Sequence, residues 1–166
     1  MVRLLTLFFL FSSLNSISQK FTTYMDTKKR FSIGIPGGWK IQKHKMGSGL
    51  DFDIYLPKMK EHGILPSYTV DIISDWPSGL DSFYSEIKYA WILSKDTIRL
   101  EEEYFLHDIR FKKVIRKPNS PAQLEALLYW GMYNGEIYMV SFTTSGHLFA
   151  KYEPLFKAVF ETFKIK

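Results

Sequence analysis

The chain contains no cysteine. That removes disulfides, thiol nucleophiles and cysteine metal sites together. Histidine is sparse. His44, His62, His107 and His147 are the full set, and none stands three or four residues from another. No helical metal pair is therefore written in the sequence. Phosphate-cradling loops are missing too. The stretch FSIGIPGGWKI at 31–41 carries three glycines, Gly34, Gly37 and Gly38, but Trp-Lys-Ile follows the last two. A dinucleotide loop needs G-x-G-x-x-G opening a helix, and a phosphate loop needs Gly-Lys-Ser/Thr. Gly47-Ser48-Gly49 lacks the strand–elbow–helix setting of a hydrolase serine. Catalytic residues, a metal site and a cofactor are accordingly not expected.

Long apolar runs are also scarce. The one such run lies at the start, in MVRLLTLFFLFSSLNSISQK. Arg3 precedes an apolar stretch from Leu4 to Leu14, and Ser16-Ile17-Ser18 supplies small residues before Gln19. This is the pattern of a secretory signal peptide over 1–18. The stretch is too short for a membrane span, which needs roughly 20 residues. The remainder, 19–166, has a length suited to one domain. A secreted or periplasmic, soluble protein without a membrane span is expected. Charge of one sign is only mildly in excess: 22 Lys and Arg against 17 Asp and Glu give +5. That balance admits an anionic partner or a peripheral contact with an anionic surface, without requiring either. Nucleic acid is not an expected partner, given the leader and the modest charge.

What the chain does have is aromatic bulk, at 17% Phe, Trp and Tyr. Strict alternation predicts strands over 30–35, 50–56 and 67–74. Pro36, Gly38 and Trp39 are structural in this reading: the glycines turn the chain and Trp39 covers the end of the core. Trp39 and Ile41 then continue the strand phase. Leu80, Phe83, Tyr84, Ile87 and Trp91 form one face of a helix, with Ser78 and Asp81 as a capping pair. In 97–107, Ile98, Leu100, Tyr104 and Leu106 share one face, and Glu102 falls on that apolar phase. A strand over 108–117 follows, paired around His107-Asp108. The segments 123–133 and 136–144 are apolar on both faces, as central strands are, and Asn134-Gly135 between them signals a hairpin. A closing helix carries Phe149, Tyr152, Phe156, Val159, Phe160 and Phe163, with Pro154 opening or kinking it.

Three groups remain as candidate binding features. Asp51 and Asp53 share a strand face, as a cation site or a solvated edge. The acidic run Glu101-Glu102-Glu103 has the same two readings. Arg110, Lys112 and Arg116 form a basic stripe, with Lys113 and Lys117 beside it. The stripe is either a partner-binding surface or a charged guard on an edge strand.

The line F-x-I-x-x-P-x-G-W at 31–39, the helix near 80–93, the paired strands and the ending K-Y-E-P-L-F-K-A-V-F-E-T-F at 151–163 resemble the PsbP-like superfamily, in its secreted bacterial PsbP/DcrB-type branch. Phe31, Pro36, Gly38, Trp39, Pro154, Phe156 and Phe163 match as structural positions. The resemblance implies an α/β (α+β) class: a single-domain α/β/α sandwich with a central, mainly antiparallel sheet and helices on both faces. It also implies a non-enzymatic adaptor or stabiliser. The expected function is thus a secreted or periplasmic accessory protein acting on an envelope protein partner. The alternative is a small-molecule or lipid-binding protein, or an unrecognised hydrolase, with Tyr129, Trp130, Tyr133 and Tyr138 lining a pocket.

Overall fold

A computed structural model describes residues 20–28, 30–43, 52–57, 64–74 and 76–166. The leader, His44, His62, Asp51 and Gly47-Ser48-Gly49 lie outside the described residues. The elements run β1 (Phe21–Met25), β2 (Phe31–Pro36), β3 (Lys40–Lys43), β4 (Phe52–Tyr55), β5 (Ser67–Ile73), α1 (Gly79–Leu93), β6 (Thr97–Leu106), β7 (Ile109–Lys117), β8 (Leu124–Tyr133), β9 (Glu136–Ser145), α2 (Gly146–Phe160) and β10 (Lys164–Ile165). Seven strands form one sheet in the order β3-β4-β5-β9-β8-β7-β6, and three form a second in the order β1-β2-β10. Every pairing is antiparallel.

The large sheet is covered on both faces, which is why β8 and β9 lack alternation. Leu127, Tyr129, Tyr138, Val140 and Phe142 point to the side of α2, where Phe156, Val159 and Phe160 meet them. Ala126, Leu128, Trp130 and Ile137 point to the other side, under Leu80, Phe83, Tyr84 and Trp91 of α1. The expected antiparallel α+β sandwich, with a helix on each face, is present. The small sheet was not expected, and it joins the α2 side through Phe31 and Ile33. Tyr68 on β5 ties the two sheets together: its hydroxyl donates to the Gly34 carbonyl at 2.5 Å.

The Pro-Gly-Gly-Trp corner links the two sheets. Trp39 N–H donates to the Pro36 carbonyl at 3.1 Å, and Gly38 has φ +84°. A turn with positive φ at its third residue favours glycine there. Trp39 is buried against Tyr68, with ring centroids 5.8 Å apart. Ile41, however, is 39% exposed, because β3 is an edge strand of the large sheet rather than a continuation of β2.

Three further expectations are corrected, and one left open is decided. Ile98 and Leu100 lie on opposite faces, because the β6–β7 register shifts between them and a bulge flips the phase. Ser78 makes no capping bond with its side chain, as its backbone sits at φ −83°, ψ 0° and not in the extended region a cap uses; the Asp81 carboxylate pairs with cations on β7. Of the two placements open to Pro154, the one inside the helix is found: it does not open α2. Its position is exposed, so the carbonyl that loses its partner faces water. Phe163 is buried, but it lies beyond the end of α2, just before β10.

Candidate functional site

The basic stripe sits on β7, one strand in from the edge of the sheet. It faces the α1 side, and each of its cations has a partner within the chain. Arg110 reaches Asp81 on α1 at 2.9 Å and Glu103 on β6 at 3.2 Å. Lys112 lies 3.4 Å from Asp81 and 3.3 Å from Glu103. The Arg110 guanidinium holds the Asp81 carboxyl below its ordinary range. Arg116 donates to Asp96 at 2.7 Å, and its guanidinium stacks over Trp91 at 4.6 Å. Asp96 also accepts the Asn119 N–H at 2.8 Å.

The acidic run is used the same way. Glu101 pairs with Lys88 of α1 at 2.6 Å. Glu102, the residue out of phase, pairs with Lys113 on the α2 side. The stripe and the run therefore clamp α1, β6 and β7 together. The clamps differ in strength. The Arg110–Asp81 pair is open to solvent, whereas the Asp96 side chain is only 3% exposed. Arg110→Ala should cost less than about 1 kcal/mol of stability, as exposed pairs do. Arg116→Ala should cost about 2 kcal/mol, because it strands a buried carboxylate and uncovers Trp91. Urea unfolding of the two variants checks that order. Equal losses would show that Asp96 finds another partner.

Of the two strand aspartates, Asp53 is described, and its charged neighbour is one the sequence did not mark. Asp71 on β5 is 8% exposed, and its Oδ2 has no hydrogen-bond partner among the described residues. Burial first, and the Asp53 charge second, push the Asp71 carboxyl up to about 7. Two carboxylates are too few for a metal cage. No group of three or more His, Asp or Glu placed to hold a metal occurs among the described residues.

A groove of about 610 Å³ opens where α1 begins. The His107-Asp108 turn, Leu80, Ile109, Arg110, Met132 and Tyr133 line it. Tyr133, at 39% exposure, is the one aromatic of the expected pocket set that reaches a cavity. Tyr129, Trp130 and Tyr138 are core. Tyr129 stacks on Phe160 at 3.6 Å, and Trp130 packs on Trp91 at 5.4 Å. His107 lines the groove, while His147 stands on α2. No helix of the described residues is long and apolar enough to cross a membrane.

No protein-family profile matches the sequence, and no curated protein matches it either. Solved structures do match. Cyanobacterial PsbP (CyanoP) from Synechocystis aligns over 94% of this chain and 99% of its own, with TM-score 0.66 and 14% identity. A Pseudomonas aeruginosa protein of unknown function, PA94, aligns over 88% of this chain and 97% of its own, with TM-score 0.62 and 11% identity. LpqN of Mycobacterium tuberculosis, a protein involved in cell envelope biogenesis, aligns over 90% of this chain and 92% of its own, with TM-score 0.59 and 7% identity. With identities this low the likeness concerns architecture, and over nearly its whole length the chain has the PsbP-like fold.

Proposed function

We propose that the chain is a non-enzymatic accessory protein, an adaptor or stabiliser, that acts outside the cytoplasm on a protein of the cell envelope. The observation that carries this reading is the whole-length fold correspondence with CyanoP and with LpqN, the latter involved in envelope biogenesis. The secretory pattern of residues 1–18 supports the compartment. Fold alone does not assign a partner. The stripe of Arg110, Lys112 and Arg116 is occupied by Asp81, Glu103 and Asp96, so a partner that used it would compete with the α1 clamp.

The test is a crosslinked pull-down of the tagged protein from its own cell envelope, read by mass spectrometry. One dominant protein partner is the expected result, and no partner above background would sink the reading. The groove lined by Met132, Tyr133 and Arg110 favours a second reading, a small amphiphile with an anionic head. Saturable thermal stabilisation by such a compound, with no protein captured, would put that reading first.

A further inference from the structure

The described strands leave four sheet edges open, and three carry the devices that blunt an edge. β3, KIQK, has Lys40 and Lys43. β6, TIRLEEEYFL, is charged along its middle. β10 has two residues, one of them Lys164. β1 differs. Its sequence is FTTYM, with no charge and no proline over five residues. Thr22 and Thr23 are exposed, and Met25 is 43% exposed.

The hydrogen bonds at its two ends set which backbone groups face outward. Gly37 N–H donates to the Lys20 carbonyl at 3.0 Å, and Asp26 N–H donates to the Phe31 carbonyl at 3.0 Å. Lys20, Thr22, Tyr24 and Asp26 thus bond inward to β2. By antiparallel alternation, the N–H and C=O groups of Phe21, Thr23 and Met25 point to the open side.

We infer that the free edge of β1 receives an extended segment of a partner protein as an added strand, uncharged in its middle and acidic at both ends. This rests on the proposed accessory role and names where and by what chemistry the partner is held. Main-chain hydrogen bonds supply the attachment in such strand addition. The acidic ends follow from Lys20 and Lys28. Both are exposed, and they flank β1 on either side. The same lysines count against a second copy of this chain. Antiparallel self-pairing that uses all the outward groups centres on Thr23. It sets Lys20 of one copy opposite Asp26 of the other, but that carboxylate is buried and already held by Arg30 at 2.9 Å, so with Lys28 alongside an excess of positive charge meets at both ends. A chain of net charge +5 adds to that repulsion.

The probe is the peptide Asp-Thr-Val-Thr-Val-Thr-Asp, with blocked termini, titrated into the protein and followed by NMR amide exchange. Expected is saturable binding with slowed exchange at Phe21, Thr23 and Met25. Thr23→Pro deletes one outward donor and spares the bonds to β2, since edge positions facing solvent tolerate proline. It should weaken binding about tenfold while the melting temperature holds. The Lys20→Glu, Lys28→Glu pair should shift preference by about tenfold to a second peptide with lysine at both ends, Lys-Thr-Val-Thr-Val-Thr-Lys. No protection at those amides, or binding indifferent to Thr23→Pro, would overturn the inference. So would protection that appears without peptide and grows with protein concentration, which would mean a second copy. An envelope partner bound as tightly by the Thr23→Pro protein as by the parent would overturn the edge while leaving the accessory role standing.

Discussion

Asp71→Asn should stabilise the protein by up to about 4 kcal/mol at pH 8 and leave it unchanged near pH 3. Among the described residues Asp71 is the one carboxyl whose burial is uncompensated: it is 8% exposed, and its Oδ2 meets no donor there. Its folded pKa stands at about 7 against an ordinary 3.8, through burial and then the Asp53 charge. The folded state therefore holds this proton more tightly than the unfolded chain does. Its contribution is fully present below pH 3.8 and is lost as pH rises toward 7. A shift of that size corresponds to at most about 4 kcal/mol. Asparagine is neutral and polar like the protonated carboxyl it replaces, so the two proteins share the low-pH baseline and the whole difference appears as the pH rises. Guanidinium unfolding of both proteins from pH 3 to pH 8 decides the matter. The difference between the two curves should open between pH 4 and 7 and stay flat above. Parallel curves would mean that Asp71 is ionised and satisfied in the fold. Asp53→Asn should narrow the gap without closing it, because the carboxylate charge is the smaller of the two causes.

Asp71 shows where the sequence stops being legible. In SYTVDII it occupies the polar phase of an alternating strand, as a solvated residue does. Only the assembled sheet buries it beside Asp53, which comes from a different strand. The elements read correctly were those whose cause is local. Alternation marked β2 and β5, the Asn134-Gly135 turn marked the β8–β9 hairpin, and helical spacing marked the inner face of α1. The elements missed have causes elsewhere in the chain. β10 is two residues long and exists because Phe31 and Ser32 of β2 pair with it. FTTYM carries no clean period, because Phe21 and Tyr24 are half-buried on opposite sides of a small sheet. The stripe was visible as three cations on one face, but not that α1 would lie on that face. Asp81 read as a cap to its own helix, and its bond to Arg110 spans 29 positions. The bulge at Arg99 likewise moved Ile98 to the α1 side, against its phase.

Gly131→Ala should destabilise the protein by about 3 kcal/mol, at the upper end for one added methyl group. Nothing in the sequence marks this glycine; its constraint is a ring from the neighbouring strand. Gly131 pairs with Phe111 across β8 and β7. A Cβ at position 131 would lie 2.4 Å from Phe111 Cε1 and 2.6 Å from Cδ1. The ring cannot retreat. It is 1% exposed, and it packs edge-on against Phe160 at 5.1 Å and against Phe163 at 6.4 Å. Both of those rings are buried beneath the end of α2, and Phe160 is itself stacked on Tyr129. Alanine at 131 would therefore push through Phe111 into the contact that holds α2 to the sheet. The mechanism predicts coupling. Phe111→Leu alone removes part of the core, but in the Gly131→Ala background it also makes room. The double variant should be more stable than the sum of the two losses predicts, by about 1 kcal/mol or more. A double-mutant cycle in urea measures that term. A sum that simply adds would place the cost of the methyl group in the backbone of β8 rather than in the Phe111 ring.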